Sequence, residues 1–318
     1  MRAFRAHLDG LDFIEVDPGA MQISPGNETH IHAIPLQYTA PNLTKQAYYL
    51  HTSPEFAMKK LLSAGEKRLY ALGHVWRDRE QGPTHLGEFT MLEFYRANEP
   101  YEMIMQDCAD LIAIACQKTG LKQLNYKGLS ADPLAPPQYI TLAQAFDKYA
   151  QIDLLSLLQD RNKFAEKAHE KGIKTHENDT WSDIFSRVLV EKIEPHLGQN
   201  QLTFLTEYPA SEAALARKKP SDPRVAERFE LYACGVELAN GFGELTDAVE
   251  QRARLTAEMD EKQRIYGTRH PLDEDFLQAL AHMPPASGVA LGFDRVVMLA
   301  TGAHNIEQVI WTPLRSIP

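Results

Sequence analysis

The amino-acid sequence predicts an α+β fold, an antiparallel β-sheet flanked by helices. Three observations lead there. Strand-like segments fall into two clusters, at 69–97 and 202–237, and helical stretches separate them. The strand–helix–strand alternation that marks a parallel sheet is nearly absent. No internal repeat or low-complexity tract suggests a solenoid or a disordered chain.

The elements follow in order. Residues 1–9 have helical spacing, with Phe4 and Leu8 four apart, and lead to a turn at Asp17-Pro18-Gly19. Extended segments are expected at 30–37 and 48–51. Ser53-Pro54-Glu55 opens a helix over 56–63, with serine as N-cap and proline at the first helical position. Strands at 69–78 and 88–97, joined by a loop with Gly82-Pro83 and His85-Leu86-Gly87, form a long hairpin. Ile104, Cys108, Leu111, Ile112 and Ala115 recur at helical spacing within 101–119. Prolines in 130–139 mark a crossing loop. A mostly helical insertion is expected at about 141–200, within a single domain covering 1–318. Extended segments return at 202–207 and 229–237, with Gly241-Phe242-Gly243 read as a turn. A charged helix at 248–266 and a shorter one at 274–282 precede a glycine-rich strand from 288 that becomes helical after Gly292.

Composition narrows the function classes. The chain has 318 residues, 44% hydrophobic and 24% charged, enough for a sizeable core. No apolar run reaches the roughly 18 residues of a membrane span, and the start lacks the apolar stretch of a secretory signal. Three cysteines without a CxxC spacing fit a reduced, cytoplasmic setting. A net charge of −10 argues against nucleic-acid binding as the main activity and suits a basic protein partner. The one short basic run, Arg217-Lys218-Lys219, reads as a solvated loop.

Three constellations carry chemistry. In WRDREQGPTHLGEFTMLEFYR, Arg77 ends a strand facing a loop, so its guanidinium fork can grip a phosphate and a carboxylate, while Phe89 offers a flat face to a purine. In FELYACGVELANGFGELTD, Glu230, Glu237 and Glu244 recur every seven residues. Two of these carboxylates suit a magnesium ion on ATP phosphates, and the third suits an amine. In SGVALGFDRVVMLATG, a glycine-rich strand end enters a helix with Asp294-Arg295 in its first turns. Helix N-termini and arginines suit phosphates, and Arg295 can stack on a purine. His30-x-His32 lacks a third metal ligand, and Ser53 and Ser211 lack a nucleophile elbow.

Taken in order, these segments resemble the signature motifs of class II aminoacyl-tRNA synthetases, most closely the lysyl enzymes. EFTMLEFY is similar to the return strand of motif 2, and GVALGFDRVVMLATGAHNIEQVI to motif 3. SPEFAMKKLL resembles the amino-acid-binding loop and helix, ELANGFGELTD the lysine-pocket strand, and residues 15–18 a short motif 1. Because the core motifs start near Met1, no anticodon-binding domain is expected. That arrangement, with RVAERFELYACGVELANGFGELTD and SGVALG, resembles the elongation factor P–(R)-β-lysine ligases.

The resemblance implies an ATP-dependent ligase that activates (R)-β-lysine or lysine as an adenylate, releasing diphosphate and later AMP. It implies transfer to a lysine side chain of elongation factor P, with Mg2+ and a homodimer. Two other readings stay open: a different acceptor, or a catalytically impaired binding module. By the same resemblance Arg77 and Arg295 are catalytic, and Ser53, Pro54, Glu55, Tyr95, Asn240, Glu244 and Ala290 bind the amino acid. Tyr95 and Glu244 would hold the distal ammonium. Arg77, Arg79, His85, Phe89, Glu237, Leu238, Gly292 and Arg295 bind ATP, and Glu230 and Glu237 hold magnesium. Two positions depart from the pattern. Arg79 stands where the lysyl enzymes have glutamate, leaving Glu80 as a substitute, and Leu86-Gly87 replaces Asn-Pro.

Overall fold

The structure is a computed structural model that describes residues 1–313, so the last five positions of the expected domain lie outside the described residues. The chain opens with α1 (Arg2–Asp9), β1 (Ile14–Glu15), β2 (Met21–Gln22), β3 (Pro35–Thr39), β4 (Lys45–Leu50) and α2 (Glu55–Ser63). The hairpin β5 (Arg68–Trp76) and β6 (Glu88–Ala97) is followed by α3 (Tyr101–Thr119), β7 (Leu124–Tyr126), β8 (Leu129–Asp132) and β9 (Gln138–Thr141). The insertion contains α4 (Leu142–Ala145), α5 (Arg161–Glu170) and α6 (Trp181–Val188). After it come β10 (Asn200–Gln201), β11 (Thr203–Pro209), β12 (Lys218–Lys219), β13 (Asp222–Ala233) and β14 (Val236–Gly243). The last elements are α7 (Ala248–Tyr266), α8 (Glu274–Leu280), β15 (Ala286–Gly292) and α9 (Phe293–Thr301).

The main sheet runs β1-β5-β6-β15-β14-β13-β11-β9, with β12 attached to β13. Its centre is antiparallel, as expected; only the edge pairs β1–β5 and β9–β11 are parallel. Helices lie on both faces of the centre, which is why β6 reads as a nearly continuous buried run rather than an alternating one. Phe4, Tyr101, Ile104, Leu111, Val296 and Leu299 pack on one face against Leu92, Phe94 and Leu291. On the other face, Phe56, Met58, Leu62, Phe276 and Leu280 pack with Leu69, Ala71 and Tyr95. The insertion builds its own core around Phe146, Phe164, Ile184 and Phe185, docked on Leu205 and Tyr208 of β11. No helix among the described residues is long and apolar enough to cross a membrane.

Three expectations need correction. The segment 229–237 is not one strand: Cys234 and Gly235, both at positive φ, turn the chain between β13 and β14. Two consecutive left-handed residues make a tight hairpin turn, and Cys-Gly is a weak signal for one. Gly241-Phe242-Gly243 is not a turn but lies within β14. A Cβ on Gly241 would come within 2.5 Å of the Phe229 ring, so the glycine serves close strand packing. At α2 the cap is Pro54, and Ser53 Oγ accepts the Glu55 N–H at 3.0 Å.

Candidate functional site

The N-terminal half of β6, the facing strands β14 and β15, and the start of α9 floor a cleft of about 320 Å³. The loop between β5 and β6 forms its outer wall. Arg77 leaves β5 with its N–H bonded to Gly87 O at 2.9 Å, and Gly82 and His85 pair across the loop. Asp294, at the first turn of α9, accepts the Thr90 N–H at 2.6 Å, which fixes the helix start against the sheet.

The expected phosphate-binding residues converge here. The Arg77 guanidinium lies 5.3 Å from the Phe89 ring centre, 3.3 Å from Thr52 O and 3.7 Å from Glu80. Arg295 donates to Thr84 O at 3.1 Å and to Glu237 O at 2.9 Å, and lies 2.7 Å from His85 Nε2. Burial and the neighbouring Arg295 charge hold the His85 imidazole below its ordinary range, so it accepts from the guanidinium. Leu238, Gly292, Asn240 and Ala290 line the same cleft. Arg79 does not: it has φ +64 and lies over the Tyr266 ring, outside the lining. The residue that takes its expected place in the cleft is Glu80.

Of the two expected magnesium ligands, only Glu237 lines the cleft. Glu230 pairs with Arg228 at 2.6 Å and accepts from the Tyr232 hydroxyl at 2.6 Å. The two glutamates sit on adjacent antiparallel strands, so their charges crowd each other. Burial, then the Glu230 charge, raises the Glu237 pKa, and burial with both neighbours raises Glu194 to about 7. Such crowded carboxylate oxygens fit a hard divalent cation. No group of three His, Cys, Asp or Glu among the described residues closes a metal site by itself. His30 instead meets the Tyr266 hydroxyl at 2.9 Å.

Beneath Ser53 and Glu55 lies a buried ionic nest. Lys59, fully buried, places its ammonium 2.5 Å from Glu55 and 2.5 Å from Glu244. Glu244 is therefore already paired from within the chain, although its Oε1 has no hydrogen-bond partner. The carboxylate that sequence reasoning missed is Glu93. It is 1% exposed and receives hydrogen bonds from Ser53 Oγ at 2.5 Å and Tyr95 OH at 2.6 Å. Its one sequence signal is a charge inside the apolar run TMLEFY. Burial, then the Glu55 charge, pushes Glu93 up to about 8, and burial pushes Glu244 up to about 7. Counting Glu55, Glu93 and Glu244 against Lys59, the fully ionised nest carries two uncompensated negative charges.

This makes stability pH-dependent. The unfolded chain ionises Glu93 in the ordinary range, whereas the folded chain keeps its proton until about 8. Each such group lowers stability as pH rises between those values, by up to about 1.4 kcal/mol per pH unit. Urea midpoints between pH 5.5 and 7.5 are expected to fall more steeply for the wild type than for Glu93→Gln. Equal slopes would refute the shift.

Gly288 of β15 closes the nest from above. A Cβ there would lie 2.3 Å from the Tyr95 ring and 2.7 Å from Glu244 Oε1. Gly288→Ala is expected to raise the KM for the amino acid about tenfold or more, the effect of ~1–3 kcal/mol of overpacking. The KM for ATP, bound at the other end of the cleft, should change far less. Parallel changes in both constants would count against this geometry.

Comparison with known proteins was consistent along the whole chain. Residues 1–316 match the family described as tRNA synthetases class II (D, K and N). The chain is 39% identical over 310 residues to the elongation factor P–(R)-β-lysine ligase of Proteus mirabilis, covering 95% of this chain and 88% of that protein. The ligase of the same name from Vibrio cholerae is 34% identical, covering 98% and 92%. The lysine–tRNA ligase of Pelotomaculum thermopropionicum is 36% identical over 99% of this chain, which spans only 62% of that protein.

Proposed function

Because the chain belongs to the class II tRNA synthetases, in the branch of the elongation factor P–(R)-β-lysine ligases, we infer that it ligates a lysine-type amino acid to a lysine side chain of elongation factor P. It is an ATP-dependent, aminoacyl-adenylate-forming enzyme. The observation that carries the substrate class is the ionic nest. On ionising, the nest supplies two negative charges that suit an amino acid with two ammonium groups, whereas a neutral side chain would leave Glu93 protonated.

In the first half-reaction the amino-acid carboxylate attacks the α-phosphorus of ATP and diphosphate leaves. This displacement needs positioning and charge neutralisation more than proton transfer. Arg77 meets the α-phosphate and the incoming carboxylate, with Phe89 beneath the adenine. His85 and Arg295 meet the outer phosphates. Asn240 orients the carboxylate end, and Ser53 and Glu55 meet the nearer ammonium. Glu93, through Tyr95, meets the distal ammonium, with Glu244 and Lys59 setting the charge around it. Glu237, with Glu230 behind it, would hold Mg2+, which would supply charge neutralisation on the phosphates. Glu80 in the cleft supports a working nucleotide site over the impaired-module reading. A homodimer, formed through the segment around β1, belongs to the same proposal.

The test is incubation with ATP, elongation factor P and either (R)-β-lysine or α-lysine, read by mass spectrometry. A mass gain on the factor is expected, and its absence with both amino acids refutes the proposal. Ala290 lies in register between Glu93 and Asn240, so its methyl sets the room for the backbone-side amine. Ala290→Gly is expected to shift the α-lysine to β-lysine preference by about 1–3 kcal/mol.

A further inference from the structure

A second cavity of about 580 Å³ opens beside the cleft. Its walls come from α6 (Trp181, Ser182), the loop after β11 (Glu212, Ala213) and α7 (Glu258, Glu261). It shares Glu28, Ile31, Asn240 and Phe242 with the cleft, so the two spaces meet where Glu28 stands. The strap carrying Glu28 is anchored. Fully buried Lys262 donates to the Glu28 carbonyl at 3.0 Å and also to the Ile31 carbonyl. The Thr29 N–H reaches Glu258 at 2.9 Å.

The two approaches to the reaction centre have opposite charge. The cleft presents the guanidinium groups of Arg77 and Arg295, which repel an incoming ammonium. The second cavity presents Glu28, Glu212, Glu258 and Glu261. Among the described residues its one lining guanidinium, Arg228, is neutralised by Glu230 at 2.6 Å, and Glu261 pairs with Arg264 at the rim. A lysine side chain carries one positive charge on an apolar stem, and the acidic space with Trp181 and Phe242 in its wall matches both parts.

We propose that this cavity is the passage through which the acceptor's lysine side chain reaches the acyl-adenylate, and that Glu28 takes the proton its ammonium must lose. The proposal rests on the reading of the chain as a lysine-acylating ligase. The step balances without a further reactant. One N–H proton passes to the Glu28 carboxylate, and the freed lone pair attacks the carbonyl carbon. As the N–C bond forms, the C–O bond to the phosphate breaks and AMP departs with that electron pair. A second N–H proton leaves the new amide nitrogen for water, and Glu28 returns its own proton to water. Burial and the nearby Glu55 charge raise Glu28 above the ordinary carboxylate range, bringing it closer to an amine in proton affinity.

The test uses enzyme-bound adenylate, formed beforehand and mixed in single turnover with elongation factor P or with n-butylamine. Working from preformed adenylate removes the first half-reaction from the readout. Glu28→Gln is expected to slow acyl transfer to either amine about 100-fold, the lower end for a general base, with partial recovery in Glu28→Asp. Glu261→Lys, on the solvent side of α7, is expected to raise the amine concentration giving half-maximal rate about tenfold, from ~1.4 kcal/mol of repulsion. Glu212→Gln should shift it in the same direction. Wild-type transfer rates in Glu28→Gln, or an unchanged amine dependence in both cavity variants, would overturn the proposal. If the wild type acylates butylamine but not elongation factor P, the acceptor assignment fails while the passage stands.

Discussion

An Arg77→Ala enzyme is expected to lose about 10³-fold in kcat/KM for amino-acid-dependent pyrophosphate exchange, or ~4 kcal/mol of transition-state stabilisation. The size follows from preorganisation. Arg77 sits at the end of β5 with its backbone tied to Gly87, and its side chain is held by Thr52 O, Glu80 and the Phe89 face before any substrate arrives. No reorganisation is then needed when charge builds on the phosphate. Arg77→Lys should recover little, because an ammonium offers neither the planar fork nor the stacking on Phe89. Thermal midpoints of both variants should stay near the wild type, since the guanidinium is partly exposed and supports no core contact. Exchange within tenfold of wild type in Arg77→Ala would remove this arginine from the mechanism.

Lys59→Met is expected to destabilise the protein by about 3–5 kcal/mol, because it strands buried carboxylates rather than merely deleting a contact. Burial opposes the Lys59 charge, but Glu244 and then Glu55 more than offset it, and the ammonium pKa is raised. Both carboxylates lose their only cation at 2.5 Å when the lysine is removed. Pairing Lys59→Met with Glu244→Gln should recover part of the loss, since the second change removes one of the stranded charges. Urea unfolding of the three variants measures both numbers. An additive double mutant would show that the pair does not interact. Lys59→Met alone should also bind the amino acid poorly, because it changes the charge that the nest presents.

The sequence was most informative where local chemistry and fold agree. The hairpin β5–β6, helix α3 and helix α7 follow from periodicity, and β6, α3 and α7 have the expected limits. Arg77, Phe89, Leu238, Gly292 and Arg295 were legible because the motif segments quoted above fix their positions, and the structure gathers them in one cleft. What sequence could not show depends on long-range contacts. Glu93 looked like part of a strand until Ser53 and Tyr95 were found on its two oxygens. Lys59, one of two consecutive lysines in α2, carries no sequence signal of burial, yet it is fully buried while Lys60 reaches out to Asp273. Arg79 was placed with ATP by its position in the motif resemblance, and at positive φ it lies outside the cleft lining. Glu28 carries no motif. Its position comes from contacts with Lys262, more than two hundred residues along the chain.

The order of strands in the sheet also bears on how the enzyme is made. β6 pairs with β15, so Phe94 finds its neighbour in Val289, close to the end of the chain. That pairing joins the early and late halves of the sheet, and Met91, Ala290 and Gly292 of the same two strands line the cleft. A growing polypeptide can complete the β5–β6 hairpin and the insertion's core early, since those contacts are local. It cannot join Ala290, Gly292 and Arg295 to Arg77 and Phe89 until β15 and α9 have been made. Nascent chains therefore hold no assembled nucleotide site. Reactive adenylate is then made only by molecules that already have the groups needed to bind it and pass it on.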